Sequence, residues 1–308
     1  MRVLFVSSGN SINGISSIIK NQGESIREQG VSVVYYTIKG KGFRGYLANV
    51  KTLKAYLKAN DFDVVHAHYS LSAFVASLAG AKPLVVSLMG SDVKSRRVFR
   101  LLIKIFNIFS WSKIIVKSQD MKNSLGIKNV EIIPNGVDFD RFKPMNQSDC
   151  KKQLDWDLSK KQILFAANPN RYEKNYKLAS DAFELLHDDN IEMKVLEDVP
   201  NELMPIYHNA ADIVLLTSLW EGSPNVIKEA MACNRPIVST GVGDVNEVIG
   251  QTDGCYCVAF NVDEVLGSLI KAISFNKKTT GRKDIIYLDS AVIAQKLINV
   301  YYITRNKL

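Results

Sequence analysis

Short apolar, β-branched runs alternate with amphipathic stretches along the chain, and this alternation limits the possible folds more than any other feature. In the first half the runs include "RVLFVSS", "VSVVYYTI", "FDVVHAH", "PLVVSL" and "KIIVKS". Runs that are apolar on both faces are typical of parallel strands buried between two layers of helices. The stretches between them, such as "ISSIIKNQGESIREQG" and "GYLANVKTLKAYLKAN", have the apolar spacing of helices.

The alternation restarts after Pro144, where a polar stretch comes first. "ILFAAN", "IEMKVL", "ADIVLLTS" and "RPIVST" have the composition of strands, and helical segments separate them. A length of 308 residues suits two domains of about 150 residues each better than one core. The sequence therefore predicts an α/β fold with two Rossmann-like, doubly wound domains, residues 1–148 and 149–308. Ligands bind beyond the carboxyl ends of strands in such sheets, so we expect one cleft between two facing domains.

Charge is unevenly distributed along the chain. Residues 1–150 carry 21 Lys and Arg against 10 Asp and Glu, so +11, whereas the remaining residues carry 18 against 21, so −3. This asymmetry predicts that the first half faces an anionic partner. Nucleic acid is not the expected partner, because no nucleic-acid-binding module is recognisable in the sequence.

The sequence predicts a cytoplasmic protein. The apolar run in "MRVLFVSSGN" is too brief for a signal-peptide core, and no apolar run approaches the length of a membrane span. The four cysteines show no zinc or redox spacing beyond one C-x-C, which is typical of reduced structural thiols.

The run "EGSPNVIKEAMAC" follows the predicted strand "ADIVLLTS" and has the signals of a helix start. Gly222 permits a sharp turn, Ser223 can cap a helix, and Pro224 suits the first helical position. A helix is therefore expected to begin near Pro224. Its N–H groups and the positive end of its dipole would point at the strand-end crevice and form an anion site.

Two carboxylates bracket this helix start. Glu221 lies on the entering loop, and Glu229 lies about 8 Å further along the helix axis, from a rise of ~1.5 Å per residue. An anion site between two carboxylates fits a sugar nucleotide, in which phosphate meets the N–H groups and carboxylates meet ribose and sugar hydroxyls. The alternative is a surface loop whose glutamate pairs with the helix dipole.

A second loop adds two cations. "FAANPNRYEKNYKLA" places Arg171 and Lys174 just beyond another predicted strand and before another helix. Arg binds phosphate through a bidentate fork and Lys as a point charge, so the pair suits a diphosphate. The alternative is solvated surface charge, which is disfavoured because both loops follow strands of the same half.

At this point the chain resembles a known family. "PNGVDFDRFKP", "NPNRYEKNYKLA" and "EGSPNVIKEAMACNRPIVSTGVGDVNEVI" are similar to the signature of glycosyltransferase family 4, the group 1 glycosyltransferases. The family contains retaining, metal-independent enzymes of the GT-B fold, and the resemblance covers nearly the whole chain. It implies that the turn Pro134–Asp138 ends the first domain. It also implies that a last helix, about 288–308, packs back on that domain.

The resemblance also implies a role for each candidate residue in the second half. Glu229 would bind the ribose hydroxyls, while Glu221 would lie by the donor sugar. Arg171 and Lys174 would act with Glu221 in catalysis by holding the diphosphate and its developing charge. The remaining donor-binding residues would be those at the helix start, namely Gly222, Ser223, Pro224 and Asn225.

The first half departs from the family pattern. Many members carry a His before a G-x-D in a first-domain loop, whereas "LMGSD" has Met89 in that place and retains Asp92. "VVHAHY" offers His68 at a strand end as a cleft-lining or acceptor residue, with a packed strand-end His as the alternative. A metal site on this H-x-H is disfavoured, because no acidic partner is adjacent. Contact of phosphate or acceptor with the backbone near Gly14 is also expected, although a lone glycine is often only conformational.

Segment 94–113 is basic and amphipathic, with Arg96, Arg97, Arg100 and Lys104. These cations are interleaved with the aromatic residues Phe99, Phe106, Phe109 and Trp111. Such a helix can lie on an anionic membrane surface, which would put the protein on the inner face of the cell membrane. The alternative is an ordinary helix with a solvated basic face and a buried aromatic face.

The sequence thus predicts a retaining glycosyltransferase. It would move a sugar from a nucleoside diphosphate sugar to a hydroxyl of a glycan or lipid-linked acceptor, in bacterial surface polysaccharide biosynthesis, with no metal or other cofactor. Two alternatives stay open: a GT-B epimerase or phosphorylase, and a non-catalytic protein that binds nucleotide sugars.

Overall fold

The computed structural model describes residues 1–11, 14–93, 97–197 and 199–306, without the side chain of Arg97. The chain divides into two compact units. The first comprises Met1–Gly136 with Ser290–Leu308, and the second comprises Val137–Asp289. Each is an α/β unit with its own sheet and its own core.

Six parallel strands form the sheet of the first unit. They are β1 (Arg2–Ser8), β2 (Ser32–Ile38), β3 (Val64–His68), β4 (Leu84–Ser87), β5 (Lys113–Val116) and β6 (Val130–Ile132). Their order across the sheet is β2-β1-β3-β4-β5-β6, so all carboxyl ends meet at one edge. The central strands are buried on both faces, as the apolar runs predict.

Helices connect these strands. They are α1 (Ser17–Glu28), α2 (Gly42–Leu47), α3 (Val50–Ala59), α4 (Ser70–Leu78), α5 (Arg97–Phe109) and α6 (Gln119–Leu125). Their apolar faces share a core with the sheet, for example Leu53 of α3, Phe74 of α4 and Ile103 of α5.

The second unit repeats this architecture with five parallel strands. They are β7 (Lys161–Phe165), β8 (Ile191–Val195), β9 (Ile213–Leu216), β10 (Ile237–Thr240) and β11 (Cys255–Val258). Their order is β11-β10-β9-β7-β8. The loops that follow β7, β9 and β10 therefore leave the same edge from adjacent positions.

The helices of the second unit surround its sheet. They are α7 (Gln147–Gln153), α8 (Tyr176–Glu184), α9 (Met204–Ala210), α10 (Asn225–Ala232), α11 (Val245–Ile249), α12 (Val262–Phe275) and α13 (Gly281–Asp284). Short 3₁₀ turns lie at Tyr172–Lys174, Asn201–Leu203 and Ile286–Leu288. The core combines strand residues such as Phe165 and Leu215 with helix residues such as Leu178 and Leu269.

The last helix, α14 (Ser290–Arg305), belongs to the first unit although it follows the second in sequence. The Tyr301 hydroxyl lies 2.6 Å from Nδ1 of His66 on β3. Gln29, just after α1, donates a 2.6 Å hydrogen bond from Nε2 to the Ala291 carbonyl, and Arg305 pairs with Asp63 at 3.1 Å. The helix is thus attached to both α1 and the sheet.

The boundary between the units lies between Gly136 and Val137, rather than after residue 148. The chain after this point is fixed to α9, because Asn209 accepts a hydrogen bond from the backbone N–H of Met145 and donates one to the carbonyl of Lys143. These contacts between distant segments are not visible in the local polarity of the sequence, which led to the boundary after residue 148. The observed boundary instead lies within the turn Pro134–Asp138, which the family resemblance implies as the end of the first domain.

The single helix predicted over "GYLANVKTLKAYLKAN" is wrong, because two helices, α2 and α3, share this stretch. The side-chain amide of Asn49 donates to the carbonyls of Lys39 and Gly45, each at 2.8 Å. Asparagine competes for backbone hydrogen bonds in this way, and the chain turns at Asn49.

None of the helices in the described part of the chain has both the length and the apolar character that crossing a bilayer requires.

Candidate functional site

The loops that follow β7 and β9 are joined at the carboxyl edge of the second sheet. The Thr217 hydroxyl donates to the backbone carbonyls of Lys174 and Asn175, at 3.1 and 2.9 Å. The Leu219 N–H donates to the Glu173 carbonyl at 2.8 Å. The predicted cation loop and the predicted carboxylate loop therefore form one structural element, as expected of adjacent parallel strands.

Lys174 and Glu221 are in direct contact in this element. Nζ of Lys174 lies 2.5 Å from Oε1 of Glu221, which also accepts a 3.0 Å hydrogen bond from the Ser218 hydroxyl. The two charged side chains are 15% and 19% exposed, so they are enclosed but still reachable by a ligand. An ion pair at this degree of burial has a defined geometry, and its charges are screened less than those of a surface pair.

Arg171 lies on the same loop but is not directed at Glu221. Its guanidinium pairs with Glu173, two residues away, through Nε at 2.8 Å and through Nη2. The Arg171 side chain is 60% exposed. The structure thus brings Lys174, but not Arg171, to the carboxylate loop.

The helix after this loop, α10, begins at Asn225, one residue after the predicted start. Pro224 is the N-cap residue and makes no side-chain hydrogen bond to the first turn. The predicted capping role of Ser223 is wrong. Its hydroxyl donates instead to Oδ2 of Asp244 at 2.6 Å, because Asp244 lies beside it in the loop after β10. Gly222, Ser223 and Pro224 are buried under this edge of the sheet.

Glu229 lies one helical turn into α10 and has a partner that the sequence did not reveal. Its Oε2 is 3.1 Å from Nε2 of His208, a fully buried residue of α9. Within the described residues, Oε1 of Glu229 makes no hydrogen bond. His208 therefore fixes the orientation of the carboxylate while one of its oxygens stays available.

Three candidate residues of the first unit, His68, Met89 and Asp92, lie at or just beyond the carboxyl ends of β3 and β4. His68 differs from the expected cleft-lining position, since its ring is 1% exposed. It packs against Phe5 and His66, with ring centroids 4.6 and 4.2 Å apart. Burial, followed by the nearby Lys117 cation, lowers the pKa of His68 to about 3, so the ring is neutral at physiological pH. Its Nε2 is buried and makes no hydrogen bond within the described residues.

Asp92 organises the loop that contains Met89. Its carboxylate accepts N–H hydrogen bonds from Met89 and Gly90, at 3.0 and 3.1 Å, and from Ser70 at the start of α4, at 3.1 Å. Burial raises the pKa of Asp92 to about 6, and the backbone N–H bonds act in the opposite direction. The buried Asp92 carboxylate therefore holds the backbone of the loop at Met89 and Gly90 in place, whereas the Met89 side chain is partly exposed.

Gly14 closes a turn after β1. Its N–H donates to the Ser11 carbonyl at 2.9 Å, and its φ of +75° is a conformation that favours glycine. This backbone requirement is sufficient to explain a glycine here.

In the part of the chain that the structure describes, no group of three or more His, Cys, Asp or Glu side chains could hold a metal ion.

Comparison with known proteins identifies the family. Residues 12–141 match the family described as Glycosyltransferase Family 4, and residues 179–274 match the family described as Glycosyl transferases group 1. The chain belongs to the glycosyltransferases that these two descriptions cover, family 4 and group 1, and the predicted membership is confirmed.

Two curated bacterial relatives have similar sequences. A putative teichuronic acid biosynthesis glycosyltransferase, TuaC of Bacillus subtilis, is 27% identical in an alignment of 219 residues that covers 61% of this chain and 56% of the relative. A UDP-Gal:alpha-D-GlcNAc-diphosphoundecaprenol alpha-1,3-galactosyltransferase of Escherichia coli is 26% identical in an alignment of 268 residues that covers 70% of this chain and 67% of the relative. The aligned part thus spans just over half of one relative and about two thirds of the other.

Solved structures share the fold over nearly the full chain. Sucrose-phosphate synthase from Thermosynechococcus elongatus has a TM-score of 0.84 at 15% identity, with 98% of each chain covered. Anabaena HepE, solved with UDP and glucose, has a TM-score of 0.73 at 18% identity, with 97% of this chain and 99% of HepE covered. With the two parallel-sheet units, these similarities confirm the predicted GT-B fold.

Proposed function

We propose that this protein is a retaining, metal-independent glycosyltransferase. It moves a sugar from a nucleoside diphosphate sugar to a hydroxyl of a glycan or lipid-linked acceptor in bacterial surface polysaccharide biosynthesis. The observation that carries the proposal is the direct contact of Lys174 with Glu221, in the loop that leads into α10, the helix that bears Glu229.

Each group has a chemical role in this proposal. The available Oε1 of Glu229 accepts hydrogen bonds from the ribose, and Glu221 orients the donor sugar. Lys174 and the N–H groups at the start of α10 stabilise the negative charge that develops on the diphosphate as the glycosidic bond breaks. Arg171 joins them by leaving Glu173, which its exposure permits.

The relatives support the substrate classes. The E. coli relative is named for UDP-Gal as donor, a diphosphoundecaprenol-linked acceptor and an alpha-1,3 linkage. HepE was solved with UDP-glucose, and the B. subtilis relative is named for teichuronic acid biosynthesis. A nucleotide-sugar donor is named for the E. coli relative and for HepE, and it suits the charged loops described above. The lipid-linked acceptor is taken from the E. coli relative alone.

The test is a transfer assay with the purified protein, a panel of nucleotide sugars and diphosphoundecaprenol-linked saccharides. We expect acceptor-dependent release of nucleoside diphosphate, with NMR showing the donor's anomeric configuration in the product. Conversion of the donor without acceptor would favour the epimerase alternative. Nucleotide binding without release from any donor–acceptor pair would favour a non-catalytic binding protein.

We expect transfer to persist in EDTA. Lys174 and the N–H groups of α10 supply the positive charge that a bound divalent cation supplies in metal-dependent enzymes. Initial rates before and after chelation measure the effect, and the same assay with added Mn²⁺ or Mg²⁺ is the control. Complete loss of transfer in EDTA, with recovery on adding either metal, would contradict metal independence.

The proposal includes peripheral binding to the inner face of the membrane through α5. Arg96 lies outside the described residues, so the structure bears only on the helix itself. Phe99, Phe106 and Trp111 pack towards the core, as in the alternative with a buried aromatic face, whereas Phe109 is exposed. The outward face instead carries the apolar residues Val98, Leu101, Ile105, Ile108 and Phe109, which are 41–80% exposed and which we term the α5 ridge.

Charge favours an anionic bilayer as the partner of the α5 ridge. The helix carries Arg100 and Lys104 and has no acidic residue along its length. A bilayer of anionic lipid satisfies both features, because the apolar side chains enter the interface while the cations meet the headgroups. A second copy of the same helix would bring like charges together.

We expect the protein to co-sediment with vesicles of anionic lipid and to dissociate as salt rises. Arg100→Gln/Lys104→Gln should remove about 2 kcal/mol of binding, from about 1 kcal/mol per cation. Leu101→Ser/Ile108→Ser should also weaken binding, whereas Ile303→Ser, which changes an exposed apolar residue of α14, is the matched control. Equal co-sedimentation of all variants, or a salt-independent dimer without lipid, would contradict this role.

A further inference from the structure

Lys228, the residue before Glu229, is fully buried although it is a charged residue. Its side chain has no exposed surface, and it lies in α10, whose start forms the proposed donor site. Lysine is almost never fully buried unless it is paired. The position therefore requires a partner inside the protein.

The partner is Asp244, with Ser223 between the two. Nζ of Lys228 lies 2.8 Å from Oδ2 of Asp244 and also donates to the Ser223 hydroxyl. That hydroxyl donates to the same Oδ2 of Asp244 at 2.6 Å. The three groups come from α10 and from the loops after β9 and β10, so one buried cluster joins all three segments.

The same two loops are also in backbone contact. Gly243 has a φ of +62°, and a Cβ at this position would lie 2.8 Å from the Gly222 carbonyl oxygen. The Thr240 hydroxyl donates to the Ser218 carbonyl at 2.8 Å. Movement of the loop after β10 would therefore displace the loop that carries Glu221.

A buried ion pair of this kind is weak evidence for a role in stability. Burial lowers the pKa of Lys228, and the charges of Asp244 and Glu247 act in the opposite direction. Oδ1 of Asp244 is buried without a hydrogen bond within the described residues, which adds to the cost of desolvation. Apolar residues of similar volume often stabilise such a site at least as well as a buried ion pair.

We infer that Lys228 and Asp244 are positioning residues for the nucleotide-sugar donor. The pair fixes the loop of Glu221, Gly222 and Ser223 against the loop of Gly243, so that the start of α10 is preorganised for the diphosphate. A preorganised site binds more tightly because less conformational freedom is lost on binding. This inference rests on the proposed function of the α10 start.

The test uses a variant in which both charges are neutralised. Lys228→Met/Asp244→Asn keeps similar side-chain volumes and leaves no charge buried alone, so the chain should still fold. The matched control is Lys151→Met/Asp212→Asn. This mostly buried pair, 2.9 Å apart, lies in the same unit but at the amino end of β9, away from the loops.

Three measurements distinguish positioning from a purely structural role. They are the midpoint of thermal unfolding, amide hydrogen exchange of residues 217–225 and 240–245, and the Kd for UDP, GDP and ADP. We expect the Lys228 variant to unfold at or above the midpoint of the control. It should nevertheless exchange faster in both loops and bind the preferred diphosphate about tenfold more weakly.

Unchanged loop exchange and unchanged Kd in Lys228→Met/Asp244→Asn would overturn the inference, as would equal changes in the control. If the wild-type protein binds none of the diphosphates, the proposed function fails instead. The exchange measurement still decides whether the pair holds the loops, because it needs no ligand. Partial recovery of affinity in Lys228→Arg, which keeps the charge, would support the positioning role.

Discussion

Glu229→Ala is expected to weaken binding of the nucleoside diphosphate about ten- to a hundredfold. The variant removes a charged hydrogen-bond partner of the ribose, a loss of about 1.5–3 kcal/mol. The structure strengthens the reason for this expectation, because His208 holds Oε2 of Glu229 at 3.1 Å and thereby orients the carboxylate. Isothermal titration with the preferred diphosphate measures the change in Kd.

Two further variants make this result specific. Glu184→Ala removes an exposed carboxylate of α8, in the same unit, and should leave the Kd unchanged. Glu221→Ala should lower turnover more than it weakens diphosphate binding, because its carboxylate is assigned to the sugar. Wild-type diphosphate affinity in Glu229→Ala would reject the assignment of this residue to the ribose.

The fold could be predicted because its signals are local. Strands such as Val3–Val6 and Ile163–Phe165 are buried on both faces, and an uninterrupted apolar run in the sequence records this directly. Helix ends are less reliable. Ser223 has the chemistry of a cap, yet Asp244 competes for its hydroxyl from a loop about twenty residues later. A cap depends on such competition, which the local sequence does not contain.

The proposed donor site could be predicted in outline for a related reason. Adjacent parallel strands bring their carboxyl ends together, so the loops of Lys174 and Glu221 had to be neighbours once β7 and β9 were adjacent. The pairing of Arg171 with Glu173 shows the limit of this reasoning. A cation two residues from a carboxylate can close a local ion pair, and residue type and spacing alone do not decide between that pair and a ligand.

The residues that sequence reasoning missed are partners across helices. His208 meets Glu229 because α9 packs beside α10, and Lys228 is buried because Asp244 lies beneath it. Neither His nor Lys at those positions has a spacing that differs from ordinary helix residues. His68 was predicted to line the cleft, with a packed strand-end His as the alternative, and the structure shows the packed arrangement. Its strand-end position was correct, but the neighbouring Phe5 and His66 rings enclose it.

Lys174→Gln is expected to lower kcat about a hundred- to a thousandfold, with a smaller change in KM. The ammonium group lies at the Glu221 carboxylate, where the diphosphate would gain charge as it leaves, and a preorganised charge at such a point acts mainly on the transition state. Initial rates of diphosphate release at varied donor concentration separate kcat from KM. Lys177→Gln is the matched control, because Lys177 lies three residues later with an 83% exposed side chain paired with Asp181.

Comparing kcat of Arg171→Gln with kcat of Lys174→Gln shows which of the two cations contributes more to turnover. Arg171 is bound to Glu173 and 60% exposed, so it contacts the donor only after leaving that pair, and its removal should lower kcat less than tenfold. Glu173→Gln tests whether Arg171 has to leave that pair, because it frees Arg171 without removing its charge and should therefore not lower kcat. We therefore expect kcat to be highest in Lys177→Gln, at the wild-type value, lower in Arg171→Gln and lowest in Lys174→Gln.

Wild-type kcat in Lys174→Gln would contradict the role of Lys174 in stabilising the leaving diphosphate. The Lys174–Glu221 contact would then be a structural ion pair.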